Sequence, residues 1–291
     1  QAEDGIRDLV RSRGLGDVYK RQIIDIYLQL TNFNFDPVAV NIGPIKITWY
    51  ALSYIVGLLF AWRYALYISK VNYLLKEEVI DYFFNNAILG VIIGGRLGYV
   101  IFYNFNYYSE NLLEILYIWQ GGMSFHGGLI GVVVAQFFTS KRFKVNFFII
   151  TDISSLVVPF GFFLGRIANF INGELYGRVT DNPIGIIFPS GGPFPRHPSQ
   201  LYEALFEGLV LFTILNILFH FTKIKNQIGL ITGIFVFLYG FFRFFIEFYR
   251  EPDPQLGFLY LNLTLGQMLC FIMLIIGIVI IVNSFRKPKI I

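Results

Sequence analysis

Apolar runs of about 20 residues recur along the chain and alternate with short polar or charged segments. A helix needs about 20 apolar residues to cross the hydrocarbon core of a bilayer. By that criterion the pattern predicts seven transmembrane helices, over residues 47–68, 82–103, 122–140, 149–171, 200–222, 228–249 and 261–285. The predicted fold class is therefore all-α, a polytopic integral membrane protein.

The positive charges between these spans are distributed unevenly. One side carries eleven basic residues, Arg63, Lys70, Lys76, Lys141, Arg142, Lys144, Lys223, Lys225, Arg286, Lys287 and Lys289. The other side carries four, Lys46, Arg178, Arg196 and Arg250. Since cytoplasmic loops are enriched in Lys and Arg, we expect the C-terminus in the cytoplasm and the N-terminus outside.

Composition narrows the possible functions. The chain is 55% hydrophobic and its net charge is only +4, without a basic stripe interleaved with aromatic residues, so nucleic acid is not an expected partner. Cys270, the single cysteine, lies within an apolar run, which excludes an intrachain disulfide and a CxxC site. We interpret Cys270 as a small core or lipid-facing residue.

The first 22 residues do not share this character. They are polar, carry five basic residues and resemble translated sequencing-adapter sequence. Their charge would also fall on the outer side, against the positive-inside pattern. We expect residues 1–22 to be a non-native appendage, the alternative being an amphipathic surface helix, and residues 23–291 to form the transmembrane domain.

Three arginines lie inside predicted spans, although a guanidinium at mid-depth costs about 2.5 to 3.5 kcal/mol. Arg96, Arg166 and Arg243 fall in spans that run outward, five to seven residues before the outer end of each. The same outer layer receives Tyr50, His126, Glu203, Glu207 and Glu247. We therefore expect a polar chamber that opens towards the outer leaflet.

Helical spacing supports this chamber. One face of the sixth span carries a polar stripe at i, i+4, i+8 and i+11, formed by Tyr239, Arg243, Glu247 and Arg250. The small-residue pairs Gly90 with Gly94 and Gly127 with Gly131 predict close approach of two helices. The loop 172–199, rich in Gly and Pro, is expected outside, as a substrate lid or as a simple connector.

Six segments together resemble one family, the bacterial prolipoprotein diacylglyceryl transferases. They are WYALSY at 49–54, GGRLGYVIFYNF at 94–105, GGMSFHGGLIG at 121–131, GRIANFINGELYGR at 165–178, RHPSQLYE at 196–203 and YGFFRFFIEFYREPD at 239–253. The resemblance covers residues 33–286 in family order.

The resemblance implies a seven-helix enzyme of the bacterial inner membrane with its N-terminus outside. Such enzymes transfer the diacylglyceryl group of phosphatidylglycerol to the lipobox cysteine thiol in the signal peptide of a preprolipoprotein. A thioether forms and glycerol phosphate leaves. The implied partners are phosphatidylglycerol, the preprolipoprotein and membrane lipids.

Chemistry and the family match together assign roles to the outer polar residues. Arg166 and Arg243 are expected to hold the phosphate, because guanidinium stays protonated and grips two oxygens. His126 is the leading candidate for the base that takes the thiol proton, although its neighbours in HGG could simply satisfy it. His197 is the alternative as base or lid residue, and His220 is expected at the cytoplasmic interface.

The remaining site candidates are headgroup-binding or arginine-holding residues. They are Tyr50, Asn169, Glu174, Gly177, Glu203, Tyr239, Glu247 and Arg250. Glu203 and Glu247 could instead belong to an internal ion-pair network, and Arg96 and Asn104 could be structural. No metal or other cofactor is expected. A seven-helix transporter of an anionic substrate is the alternative function, although no internal repeat is visible.

Overall fold

The computed structural model describes residues 35–43, 45–72, 74–252, 259 and 263–286. Within them, one long helix overlaps each of the seven predicted spans. These helices are α1 (Trp49–Asn72), α2 (Glu77–Tyr103), α4 (Phe125–Phe143), α5 (Phe147–Ile171), α6 (Ser199–Phe221), α7 (Leu230–Ile246) and α8 (Leu265–Ser284). A short helix, α3 (Phe105–Glu110), follows α2. The proposed appendage, residues 1–22, lies outside the described residues.

Five of the long helices, α1, α2, α5, α6 and α8, are long and apolar enough to cross a membrane. Helix α7 has 17 residues, and α4 also falls short of that criterion. The predominantly helical membrane architecture is thus confirmed, whereas the count of seven membrane crossings and the orientation of the termini stay predictions.

A β-hairpin precedes α1 and was not predicted. Strands β1 (Val38–Ile42) and β2 (Ile45–Thr48) pair antiparallel, with Ile42 opposite Ile45. Alternating apolar residues on both sides of Gly43 could have indicated this hairpin in the sequence. In the structure Gly43 occupies the turn with φ of 59°. The first span accordingly begins at Trp49, two residues later than predicted.

Glycines allow α2 and α4 to pack closely, as the small-residue spacing predicted. A Cβ built at Gly90 would lie 2.5 Å from the carbonyl oxygen of Gly131, and one at Gly98 would lie 2.8 Å from Gly127 Cα. Neither position accommodates a side chain. Helix α5 lies at the centre of the remaining helices and packs against α1, α6 and α7.

The apolar core and the polar candidates occupy opposite ends of the helices. The core gathers the C-terminal half of α1, the N-terminal half of α5, the C-terminal half of α6 and the start of α7; its most buried members include Ile68, Leu156, Leu215 and Ile231. Arg166 lies in the last turns of α5, Glu203 in the first turn of α6 and Arg243 in the last turn of α7. The antiparallel order therefore brings these three residues to one end.

Candidate functional site

Three arginines and three glutamates form one connected group, which we call the arginine–glutamate cluster. Its members are Arg166, Glu203, Glu207, Arg243, Glu247 and Arg250. Five of them were predicted site residues, and the structure brings all six together. The sixth, Glu207, was predicted only as part of the outer polar layer.

Glu203 is the centre of this cluster. Its side chain is completely buried, and its Oε2 lies 2.7 Å from Arg166 Nε while its Oε1 lies 2.7 Å from Arg243 Nη1. Arg250 Nη1 approaches the same Oε1 at 3.7 Å. One carboxylate from α6 thus joins arginines from α5, from α7 and from the segment after α7. For Glu203, these contacts form an internal ion-pair network, which was the alternative interpretation of this residue.

Arg243 is held by three carboxylates. Besides Glu203, its Nη1 lies 3.4 Å from Glu207 Oε1 and its Nη2 lies 3.0 Å from Glu247 Oε2. Arg243 and Glu247 are four residues apart, on the one helix face where the sequence spacing placed them. Glu207 and Gly208 belong to a π-helical stretch of α6, Ala204–Val210, and such stretches are frequent at functional sites.

Arg166 differs from Arg243 in having donors to spare. It contacts Glu203 through Nε, and neither Nη1 nor Nη2 forms a hydrogen bond with another described residue. Its side chain is also 22% exposed, against 13% for that of Arg243. The free edge of this guanidinium is suited to grip two oxygens of one anion.

The signature segment folds back on itself beside Arg166. Asn169 Nδ2 donates to Glu174 Oε1 at 2.8 Å, and Asn172 Nδ2 approaches the same oxygen at 3.3 Å. Tyr50 on α1 lies within electrostatic range of both Glu174 and Arg166, and its hydroxyl is 3.2 Å from that of Tyr54. These contacts gather Tyr50, Asn169 and Glu174 on the Arg166 side of the cluster.

The position of Gly177 has no room for a side chain. Its N–H donates to the carbonyl oxygen of His197 at 2.8 Å, and a Cβ at this position would lie 2.8 Å from the same oxygen. Next to it, the main-chain N–H of Arg178 donates to Tyr249 O at 2.9 Å, and its Nε donates to Arg250 O at 2.8 Å. The 172–199 loop is therefore docked onto the chain that follows α7.

Arg178 and Arg196 are the docking residues that the sequence analysis missed as such. Arg178 binds main-chain oxygens beyond the end of α7, and Arg196 Nη1 pairs with Glu251 Oε2 at 3.0 Å. Arg196 also lies over the ring of Tyr176, 4.9 Å from its centroid. Both residues stand in motifs that resemble the family, which could have drawn attention to them. Their partners at Arg250 and Glu251 are distant in sequence, so the contacts themselves could not be predicted.

The two candidate bases have different surroundings. His197 lies in the docked loop, where its Nδ1 is 3.1 Å from the Tyr202 hydroxyl and burial lowers the pKa of its ring. His126 is in the first turn of α4 and exposed, and its ring packs edge-on against Phe125. No hydrogen bond or ion pair joins His126 to the cluster among the described residues, so its catalytic role stays a prediction.

Arg96 has a different kind of environment from Arg166 and Arg243, the other two arginines of the predicted spans. It is 3% exposed, and its guanidinium donates to the carbonyl oxygens of Glu114 at 2.6 Å, Ile115 at 2.8 Å and Gly121 at 2.6 Å. These contacts fix the segment between α3 and α4. They favour the structural interpretation of Arg96. Asn104, at the C-terminal end of α2, accepts a backbone hydrogen bond from Tyr108 N at 3.2 Å.

Two further predicted residues can be placed. Tyr239, one turn before Arg243 on α7, lies within electrostatic range of Arg243, Arg166 and Glu207, and its ring is 5.5 Å from that of Phe162. His220 lies at the other end of α6, with Nε2 3.1 Å from the Tyr64 hydroxyl. The polar stripe of α7 therefore faces the cluster, while His220 lies at the opposite end of α6.

Long apolar helices that bring partly buried arginines and buried glutamates together at one end define a helical membrane protein with a charged site. The sequence model of the prolipoprotein diacylglyceryl transferase family matches residues 37–283. The chain belongs to this family.

Curated relatives agree with this assignment. The phosphatidylglycerol–prolipoprotein diacylglyceryl transferase of Rickettsia bellii (strain OSU 85-389) is 51% identical over 253 residues, which are 86% of this chain and 96% of the relative. Proteins of the same name from Rickettsia felis and Ehrlichia ruminantium (strain Welgevonden) are each 49% identical, over 88% and 85% of this chain and 98% and 96% of the relatives.

Proposed function

We propose that this chain transfers the diacylglyceryl group of phosphatidylglycerol to a cysteine thiol of a prolipoprotein. The observation that carries this proposal is the family match over residues 37–283, with relatives half identical over nearly their full length. The cluster supplies what the reaction requires, a fixed cation with free donors beside a buried network that holds it.

The proposed reaction is a substitution at the glycerol carbon that carries the phosphate oxygen. The thiol loses its proton to a base, and the sulfur forms a bond to that carbon. The carbon–oxygen bond breaks, and its electron pair leaves with glycerol phosphate. The product is a thioether between the cysteine and diacylglycerol, and no oxidant or reductant is needed.

Arg166 and Arg243 are proposed to stabilise the leaving phosphate in different ways. Arg166 presents its two free amino groups to the phosphate oxygens, whereas Arg243 contributes its charge from within its three carboxylate contacts. Because the environment is partly dry, such fixed donors stabilise developing negative charge strongly. Tyr50, Asn169 and Glu174 border the Arg166 side and are proposed to receive the headgroup.

The proton of the cysteine thiol needs an acceptor at neutral pH. His126 is proposed as that base, because histidine is the side chain that most often serves as a general base and this ring is exposed to an incoming peptide. His197 is the alternative, supported by its place in the docked loop, where burial lowers the pKa of its ring and so favours the neutral form.

We further propose seven membrane crossings with the cluster near the outer leaflet of the bacterial cytoplasmic membrane. The uneven distribution of basic residues supports this orientation. The peptide substrate in this arrangement is the signal peptide of a preprolipoprotein, which exposes its lipobox cysteine at the outer surface.

A transfer assay tests the proposal. The purified chain, in detergent with phosphatidylglycerol labelled in its acyl chains and a lipobox peptide, should yield labelled peptide and free glycerol phosphate. A peptide with serine in place of the cysteine is the control and should stay unlabelled. Uptake of a labelled anion into vesicles without any transfer would instead support the transporter.

A further inference from the structure

The beginning of α8 contacts the arginine–glutamate cluster through the side chain of Thr264. Thr264 Oγ1 donates to Glu247 Oε1 at 2.9 Å, while Glu247 Oε2 lies 3.0 Å from Arg243 Nη2. Thr264 is 3% exposed and Glu247 is 6% exposed. The carboxylate is thus held at both oxygens in a dry environment, by α8 on one side and by the arginine on the other.

A capping box fixes the orientation of Thr264. Its hydroxyl accepts from Gln267 N at 3.2 Å, and the side chain of Gln267 accepts from Thr264 N at 3.0 Å. Because the hydroxyl oxygen is engaged as an acceptor by Gln267 N, its one proton remains for Glu247. The positive end of the α8 dipole also lies at this carboxylate.

Gly266 brings the main chain of α8 against the same carboxylate. A Cβ built at this position would lie 2.6 Å from Glu247 Oε1. The carboxylate therefore rests on the first turn of α8 and has little freedom to move. The contacts then continue from Glu247 to Arg243, and from Arg243 through Glu203 to Arg166.

We propose that Thr264 is a positioning residue for diacylglyceryl transfer, which it supports by fixing the carboxylate of Glu247 and so the guanidinium of Arg243. The proposal rests on the proposed function. Thr264 is proposed to act through Glu247 and Arg243, without contact to the substrate. Its effect is on the alignment of charges that meet the leaving phosphate, so it should influence turnover more than substrate binding.

Three variants separate positioning from helix capping. Thr264→Val loses the hydrogen bond to Glu247, and kcat should fall about tenfold while KM changes less than about twofold. Thr264→Ser retains the hydroxyl and should restore most of kcat. Gln267→Ala removes half of the capping box but leaves the bond to Glu247, so it should lower Tm with a much smaller effect on kcat.

A double-mutant cycle with Glu247→Gln completes the test. Since Thr264 acts through Glu247, Thr264→Val should cause little further loss of kcat when Glu247→Gln is already present. Additive losses, near-normal kcat of Thr264→Val, or an equal kcat loss in Gln267→Ala would each overturn the inference. A wild-type chain that transfers nothing would overturn the proposed function itself, and this inference with it.

Discussion

Replacing Arg166 tests whether its free guanidinium edge holds the phosphate of the lipid. In the structure Nε contacts Glu203 at 2.7 Å, and the two amino groups form no hydrogen bond with another described residue. Arg166→Lys keeps the charge but loses the planar fork, whereas Arg166→Gln loses both. The two variants therefore separate geometry from charge.

The expected loss of activity follows from the two free donors. A hydrogen bond to a charged group contributes about 1.5–3 kcal/mol, so two of them contribute roughly 3–6 kcal/mol. This corresponds to a fall in kcat/KM of about 10²–10⁴-fold for Arg166→Gln. Lysine keeps a charged donor group but on a single nitrogen, without the planar fork, and a fall of roughly 10–100-fold is expected for Arg166→Lys.

The same replacements affect folding through Glu203. Both variants lose the Nε contact to this buried carboxylate, but Arg243 still contacts it at 2.7 Å. A loss of about 1–3 kcal/mol in the free energy of unfolding is therefore expected, small enough for folded protein to be recovered. Thermal unfolding of the purified variants measures this part separately from activity.

The assay is transfer of labelled diacylglyceryl to a lipobox peptide at equal amounts of folded protein. Arg142→Lys is the matched control, because Arg142 lies in the last turn of α4, at the C-terminal end of that helix, and stacks over Tyr82. It should leave transfer unchanged. Folded Arg166→Gln protein with near-normal kcat/KM would refute the assignment of Arg166 to the phosphate.

Three further predictions concern other parts of the chain. His126→Gln should lower kcat about 100-fold at pH 7, and raising the pH towards the thiol pKa of about 8.5 should partly restore it; a near-normal rate at pH 7 would return His126 to a structural role. Gly177→Ala should weaken docking of the 172–199 loop and lower activity at least about tenfold, because the Cβ meets His197 O at 2.8 Å, and unchanged protease resistance of that loop would contradict this. Deletion of residues 1–22 should leave membrane insertion and transfer unchanged; loss of activity at equal abundance would show that the segment belongs to the working protein.

Hydropathy alone predicted where the long helices lie, because membrane length and apolar composition constrain each of them locally. It also placed Arg166, Arg243 and Glu203 in one layer, since residues near the same ends of antiparallel helices lie at a similar depth. The i, i+4 pair of Arg243 and Glu247 was likewise within reach of helical spacing. These are local or periodic features.

The different partners of the three arginines in the predicted spans could not be predicted from hydropathy or helical spacing. Whether a buried arginine pairs with carboxylates, as Arg243 does, or with main-chain oxygens, as Arg96 does, depends on segments distant in sequence. The hydrogen bond from Thr264 to Glu247 joins two residues whose helices meet only in the folded chain. Periodicity carries no information about such contacts.

The charge balance of the cluster bears on product release in the proposed reaction. Phosphatidylglycerol is a phosphodiester with one negative charge, whereas the released glycerol phosphate is a monoester that approaches two near pH 7. A cluster with three uncompensated arginines would bind the product more tightly than the substrate and delay its release. Glu203, Glu207 and Glu247 offset that charge within the cluster and leave free donors on Arg166 and on Arg250, whose contact to Glu203 Oε1 is 3.7 Å long. We therefore expect the three carboxylates to serve turnover as well as folding. They allow the site to bind the monoanionic lipid but limit its affinity for the dianionic product, which can then leave.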